Sequence, residues 1–281
     1  MQKLNRPVHL AKATFETCIT SVRDDALKAR LVRIAAVVES ASLQYDTYAT
    51  RQALHEVLRN ALVGGDITMT EMKKVYTDRM AKKGSPGRDI YEDIISAPAH
   101  GRCPLCGQRL VTTLDHHLPK AHYPALAVVP LNLVPSCGDC NKAKLAAIPL
   151  TATEVSLNPY YDDVQDVSWL ESEVIKVRPA ALRFYVKYPC EIESLLQERL
   201  RHHFKTLELS ALYAAEAAEE LLNIRHQLID LRTAGGPTTV RAELEHRAVS
   251  GAAARPNGWK TAAYRAWAQS DWFCDGGFAP L

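Results

Sequence analysis

The sequence predicts a mainly helical chain carrying one small metal-organised module, α+β overall. Three observations carry this expectation. Long stretches of the 281 residues contain little Gly or Pro and space their apolar residues three and four apart, the helical period. One stretch near the middle is built instead of short apolar runs, turn residues and closely spaced Cys, His and Asn. Four of the seven cysteines form two Cys-x-x-Cys pairs, a metal-binding pattern in a chain that shows no export signal.

Residues 8–62 carry Leu31, Ile34, Ala35 and Val38, then Leu54, Val57, Leu58 and Leu62, at helical spacing, which predicts two or three helices. Gly64-Gly65 ends the run, and Thr68-Met69-Thr70-Glu71 forms a capping box that starts a helix reaching residue 80. Ser85-Pro86-Gly87 breaks it before a short helix over 88–96, closed by Pro98. Residues 101–150 are the metal-organised module. Within 151–190 the strand candidates are 174–177 and 182–186, the second ended by Pro189. A long helix over 191–231 follows, with Leu195, Leu200, Phe204, Leu221 and Leu228 on its apolar face. Ala234-Gly235-Gly236-Pro237 stops it, and one or two further helices lead into an aromatic tail at 272–278. The expected organisation is therefore a helical N-terminal region 1–100, a module 101–150, and a mixed, then mainly helical region 151–281.

Thirty-four basic and 32 acidic residues leave a formal charge of +2, which excludes a histone-like protein and confines any polyanion contact to local patches. One such patch is Lys73, Lys74, Arg79, Lys82, Lys83 and Arg88, opposed between 73 and 88 only by Asp78. Lys82 and Lys83 are candidate phosphate contacts, although most such runs are solvated helix faces. The first twenty residues lack an apolar core of signal-peptide length, and nowhere do about 18 apolar residues run together. The expected location is cytoplasmic, with no membrane partner. Cys18, Cys190 and Cys274 stand singly among apolar or aromatic neighbours and are expected to be core thiols.

Cys103-Pro-Leu-Cys106-Gly107 and Cys137-Gly-Asp-Cys140 are two knuckles. Together they supply the four thiolates of a closed, structural zinc site, which has no open position for water and does no chemistry. The thirty residues between them, 107–136, exceed the ~15–20 of a plain zinc ribbon, so the loop carries an insert. The insert holds Asp115-His116-His117 at the end of a β-branched run, then Asn132-Leu133-Val134; Asn141 follows the second knuckle at once, with Lys144 three residues later. Lys120 and His122 lie just beyond the Asp-His pair as further candidate phosphate contacts.

At these residues the chain resembles the HNH nuclease family, whose pattern is an Asp-His pair, a central Asn before an apolar dipeptide, and Cys-x-x-Cys followed by His or Asn and then Lys. The resemblance covers 103–144. It implies a ββα-metal (HNH) zinc-knuckle module in which Asp115 and Asn141 ligate one divalent cation, magnesium or manganese, and His116 is the general base. It implies also that Asn132 braces the loop carrying His116 and that Lys144 lies near the phosphate. Asn141 stands where the final His is commoner; its oxygen favours a hard cation over zinc.

The chemistry agrees with those residue types. Phosphodiester hydrolysis needs a proton acceptor for water, and an imidazole with an ordinary pKa near ~6.5 is one. It also needs charge neutralisation at the leaving oxygen, which a carboxylate-held cation supplies. Adjacent residues on a strand face opposite ways, so Asp115 and His116 can serve one site only if the strand ends there. Alanine at either is expected to abolish DNA nicking and leave the fold unchanged. The flanks, 80–91 and 257–278, resemble those of bacterial HNH proteins from mobile-element and anti-phage defence contexts, where helical flanks dock partners, sometimes an ATPase on a second chain. The alternative is a non-catalytic zinc-knuckle module that binds nucleic acid or a protein; it has no need of a carboxylate, an imidazole and an amide in this register.

Overall fold

The computed structural model describes residues 1–188 and 191–279. The chain divides into two compact units, Met1–Asp163 and Val164–Leu281. This single boundary stands in place of the two expected at 100 and 150. The helical region 1–100 and the cysteine module share one core, in which Phe15, Val38, Tyr45 and Met80 belong to the same apolar cluster as Leu114, Leu126, Val129 and Leu133. A segment of about fifty residues buries too little surface to stand alone, so the module uses the helices as its hydrophobic floor.

In the first unit, α1 (Ala11–Ile19), α2 (Asp25–Arg33) and α3 (Ala35–Thr50) come first. The side chain of Asp24 caps α2 by accepting from the Leu27 N–H at 3.0 Å. Beyond α3 the helix expected over Leu54, Val57, Leu58 and Leu62 does not form. Gln52 turns the chain with φ 58°, and only a single 3-10 turn, Leu54–Glu56, follows. Leu54 and Val57 are buried while Leu58 and Leu62 face solvent, so the apparent periodicity was a coincidence of spacing. A short hairpin pairs β1 (Leu62–Val63) with β2 (Ile67–Thr68); Gly64 and Gly65 both hold positive φ in its turn, which their missing Cβ permits.

The capping box is present as expected. The Thr68 hydroxyl accepts from the Glu71 N–H at 3.2 Å, and Glu71 Oε2 accepts from the Thr68 N–H at 2.8 Å. It starts α4 (Met69–Tyr76), which continues as a π-helical turn, Thr77–Ala81. Then come α5 (Arg88–Ser96), β3 (Thr113–His116), β4 (Leu133–Ser136) and α6 (Gly138–Lys144). β3 and β4 are antiparallel, with Asp115 opposite Val134 and His116 opposite Leu133.

The second unit contains an antiparallel pair, β5 (Leu170–Ile175) and β6 (Ala181–Val186), with helices α7 (Ser194–Thr206), α8 (Leu209–Ala254) and α9 (Trp259–Gln269). β5 begins earlier than the candidate 174–177, at Leu170, and ends at Ile175, because Lys176 and Val177 enter the turn that contains Pro179. The single helix expected over 191–231 is two. Glu208 takes φ 51° and turns the chain so that the Phe204 and Tyr213 rings meet at 6.3 Å. The expected stop at 234–237 holds: Gly236 takes a non-helical φ of 70° ahead of Pro237, and the two helical arms of α8 fold back on each other there, with the Gln227 amide donating to Glu243 Oε1 at 3.2 Å. Asn257 ties down the entry to β5: its Oδ1 accepts from the Trp169 N–H at 2.8 Å and its Nδ2 donates to the Val167 carbonyl at 2.8 Å. Cys18 and Cys274 are fully buried core thiols, and burial pushes Cys18 up to about 12. Pro189 and Cys190 lie outside the described residues. Among the described residues, no helix is long and apolar enough to cross a membrane.

Candidate functional site

The two knuckles converge. Cys103, Cys106, Cys137 and Cys140 are all buried, and their sulfurs lie within 4.8 Å of one another. Each knuckle has a local cause. Gly107, at φ 69°, lets its N–H reach back to the Cys103 carbonyl at 2.7 Å, and the Cys103 N–H donates to the Arg109 carbonyl at 2.8 Å. Cys137 is the N-cap of α6, its sulfur accepting from the Cys140 N–H at 3.4 Å. Arg109 joins the two turns through Asp139 at 3.0 Å; that pair is partly exposed and contributes little. Four buried thiol sulfurs in so small a space fit a tetrahedral metal ion such as zinc, because thiolates this close repel one another unless a cation lies between them.

The hairpin β3–β4 and helix α6 frame a second site, a cleft of about 420 Å³ whose wall includes Asp115, His116, Lys120 and Asn141 together with Lys73 and Tyr76. β3 ends at His116, and there the alternation of faces ends too: Asp115 and His116, though adjacent, both line the cleft and both are buried.

The His116 ring is held in one tautomer. Its Nε2 lies 2.9 Å from the Ala127 carbonyl, which can only accept, so Nε2 carries the proton and Nδ1 the lone pair. Burial, with Lys120 and then Lys144 adding positive charge nearby, holds its pKa down to about 3, so the ring is neutral at physiological pH. The Tyr76 ring packs edge-on against it at 4.4 Å. Burial raises the pKa of Asp115 from the ordinary carboxylate value, with Lys144 opposing. Lys144 Nζ donates to Asp115 Oδ2 at 2.8 Å and to the His116 carbonyl at 2.7 Å.

Lys144 therefore departs from expectation. It is 7% exposed and sits behind Asp115, absent from the cleft wall, where a phosphate would have to be. Asn132 fills the bracing role its motif implies. It is wholly buried; its Oδ1 accepts from the Leu118 N–H at 2.7 Å, and its Nδ2 donates to the Leu118 carbonyl at 3.0 Å and the Leu126 carbonyl at 3.2 Å. Three backbone groups of the loop between β3 and β4 thus end on one side chain. Alanine at Asn132 strands all three in a dry interior, where each unmet group costs about 1–3 kcal/mol. Urea denaturation of Asn132→Ala is expected to show a loss of about 3 kcal/mol or more.

Of the other candidate phosphate contacts, Lys120 is on the cleft wall; His122, Lys82 and Lys83 are not, the two lysines pointing into solvent from the turn after the π-helical segment. Elsewhere in the basic run, Arg79 donates to the Ser21 carbonyl at 2.8 Å, and Arg88 is engaged by Glu92 and the Tyr91 ring. Only Lys73 of that run reaches the cleft, with Tyr76 one turn further on, a pairing the three-residue spacing on a capped helix already encoded. Nothing in the sequence set Tyr76 apart as a site residue.

The depressed His116 pKa makes a sign-definite prediction. The unfolded chain binds this proton near pH ~6.5 and the folded chain only near 3, so stability is fully present above pH ~6.5 and is lost as pH falls toward 3, by up to about 1.4 kcal/mol per pH unit. Unfolding midpoints at pH 7, 5 and 4 should fall less steeply for His116→Gln than for the parent chain.

No known family model matches the chain, and no solved structure does. Protein ea31 of Escherichia phage lambda is 29% identical to it over 243 residues, which is 81% of each chain.

Proposed function

We propose that the chain is a metal-dependent endonuclease of the HNH (ββα-metal) type that hydrolyses DNA phosphodiester bonds. The observation that carries this is the state of His116: a neutral imidazole with Nε2 committed to Ala127 and the lone pair left on Nδ1, in a cleft shared with a carboxylate and an amide. In this reading Nδ1 takes the proton of the attacking water. Asp115 and Asn141 hold a hard divalent cation, magnesium or manganese; when bound, such an ion neutralises the charge that develops on the leaving oxygen. Oxygen donors from both residues on one cleft wall suit such an ion. Lys144 fixes the carboxylate and Asn132 fixes the loop, so both act through their neighbours. The four cysteines hold a structural zinc.

A strand-strand-helix order at the site, β3, β4 and α6, supports the same class. The likeness to a phage-encoded protein agrees with a mobile-element context. The chain has no Gly-x-x-x-x-Gly-Lys phosphate loop, so nucleotide energy in such a system would come from an ATPase on a second chain.

The test is incubation of zinc-loaded protein with supercoiled DNA, single-stranded DNA and RNA, with and without magnesium, followed by gel analysis. Magnesium-dependent nicking of the DNA is expected. Cleavage of RNA alone would move the substrate class; tight nucleic-acid binding without cleavage of any substrate would replace the enzyme by a zinc-knuckle binding module.

A further inference from the structure

Both nitrogens of His116 are occupied. With Nε2 donating to Ala127, the atom free to take a proton is Nδ1, and the Lys120 ammonium lies 3.4 Å from it, donating into its lone pair. As the chain stands, the base is covered. Lys120 has little else to hold it: its Nζ lies 4.9 Å from the centre of the Tyr76 ring, and the Asp115 carboxylate attracts it from beyond ion-pair distance while already paired with Lys144 at 2.8 Å. Lys73, on α4, lines the same cleft. Burial and the repulsion of Lys73 weaken the hold of Lys120 on its proton, against the attraction of Asp115.

Two ammonium groups that repel each other on one cleft wall, offset only in part by Asp115, are costly unless a further anion comes between them. A backbone phosphodiester carries one negative charge and two non-bridging oxygens, one for each lysine. An ammonium bonded to phosphate is charge-assisted on both sides and stronger than a long bond to a neutral ring nitrogen. Phosphate therefore outcompetes His116 for Lys120.

Resting on the nuclease reading, we infer that Lys73 and Lys120 form a two-cation seat for one backbone phosphate, and that seating it draws Lys120 off His116 and uncovers Nδ1. Lys120 is then a substrate-operated cover on the base, and His116 is exposed only when a phosphate is in place beside it. Lys120 acts on the proton transfer through His116 and is in that respect a positioning residue.

The test uses the full, zinc-loaded chain with 15N-labelled histidine and no added magnesium, so that nothing is cleaved. A short DNA duplex is titrated in while the His116 Nδ1 resonance is followed. The resonance should move toward the value of a ring nitrogen without a donor, and Lys120→Met should show that value before DNA is added. Lys73→Met and Lys120→Met should each lower the slope of log affinity against log salt by about one, as loss of one phosphate contact requires. Duplex binding with an unmoved His116 resonance would overturn the cover, and that titration needs no variant. Wild-type salt slopes in both variants would overturn the seat. Inorganic phosphate should move the resonance only at far higher concentration; an equal response at equal concentration would overturn the assignment to a nucleic-acid backbone. If resonance and slopes behave as stated but DNA stays intact once magnesium is added, the seat stands and the nuclease reading falls.

Discussion

Replacing His116 by alanine should lower magnesium-dependent nicking by about 10²–10⁴-fold, the usual worth of a positioned general base, while zinc content is unchanged. One hydrogen bond to the Ala127 carbonyl is lost, so a modest drop in stability is expected and is measurable separately. Asp115 needs a different substitution from the one the sequence suggested. Alanine there leaves the Lys144 ammonium buried without its carboxylate, 2.8 Å away in the intact chain, and breaking such a pair costs roughly 3–5 kcal/mol. Asp115→Ala is thus expected to lose folding along with activity. Asp115→Asn keeps an acceptor for Lys144 and removes the charge that would hold a cation; it should lose nicking in gel assays with a smaller loss of stability than Asp115→Ala. Full nicking by His116→Ala or Asp115→Asn would sink the assignment.

The second large effect belongs to the cysteines. Cys140→Ser should cost the chain its stoichiometric zinc and loosen the knuckles, because binding free energy at such a site, about 10–16 kcal/mol in small zinc modules, is folding free energy. The effect should extend beyond residues 101–150, since their apolar side chains belong to the same core as α1, α3 and α4. Thermal unfolding of the first unit should fall by roughly 10 °C or more, given about 2–4 °C per kcal/mol at this size. Addition of a strong chelator to the parent chain should do the same. A zinc-free Cys140→Ser protein with an unchanged melting temperature would show that the four sulfurs carry no structural metal.

These experiments separate two sets of residues that are interleaved between Cys103 and Lys144. No cysteine lines the cleft, although Cys140 directly precedes Asn141 on α6. The cleft residues depend on one another instead: Lys144 orients Asp115, Asn132 ties the loop after His116, and Ala127 on that loop sets the tautomer of His116.

The amino-acid sequence by itself determined the elements whose causes are local. Cys-x-x-Cys spacing converges two sulfurs whatever surrounds them, and a Thr-x-x-Glu box satisfies its own helix end. The tertiary structure decided everything that depends on which groups meet across the fold. It turned Lys144 inward to a buried ion pair, chose Lys73 from six basic residues, set Tyr76 against His116, placed the loop leucines away from a helix at 54–62, and joined the module to the N-terminal helices in one core. The physical reason is burial. Whether a lysine is a phosphate contact or an internal counter-ion depends on what water it loses and which carboxylate it finds, and neither is written in its neighbours along the chain.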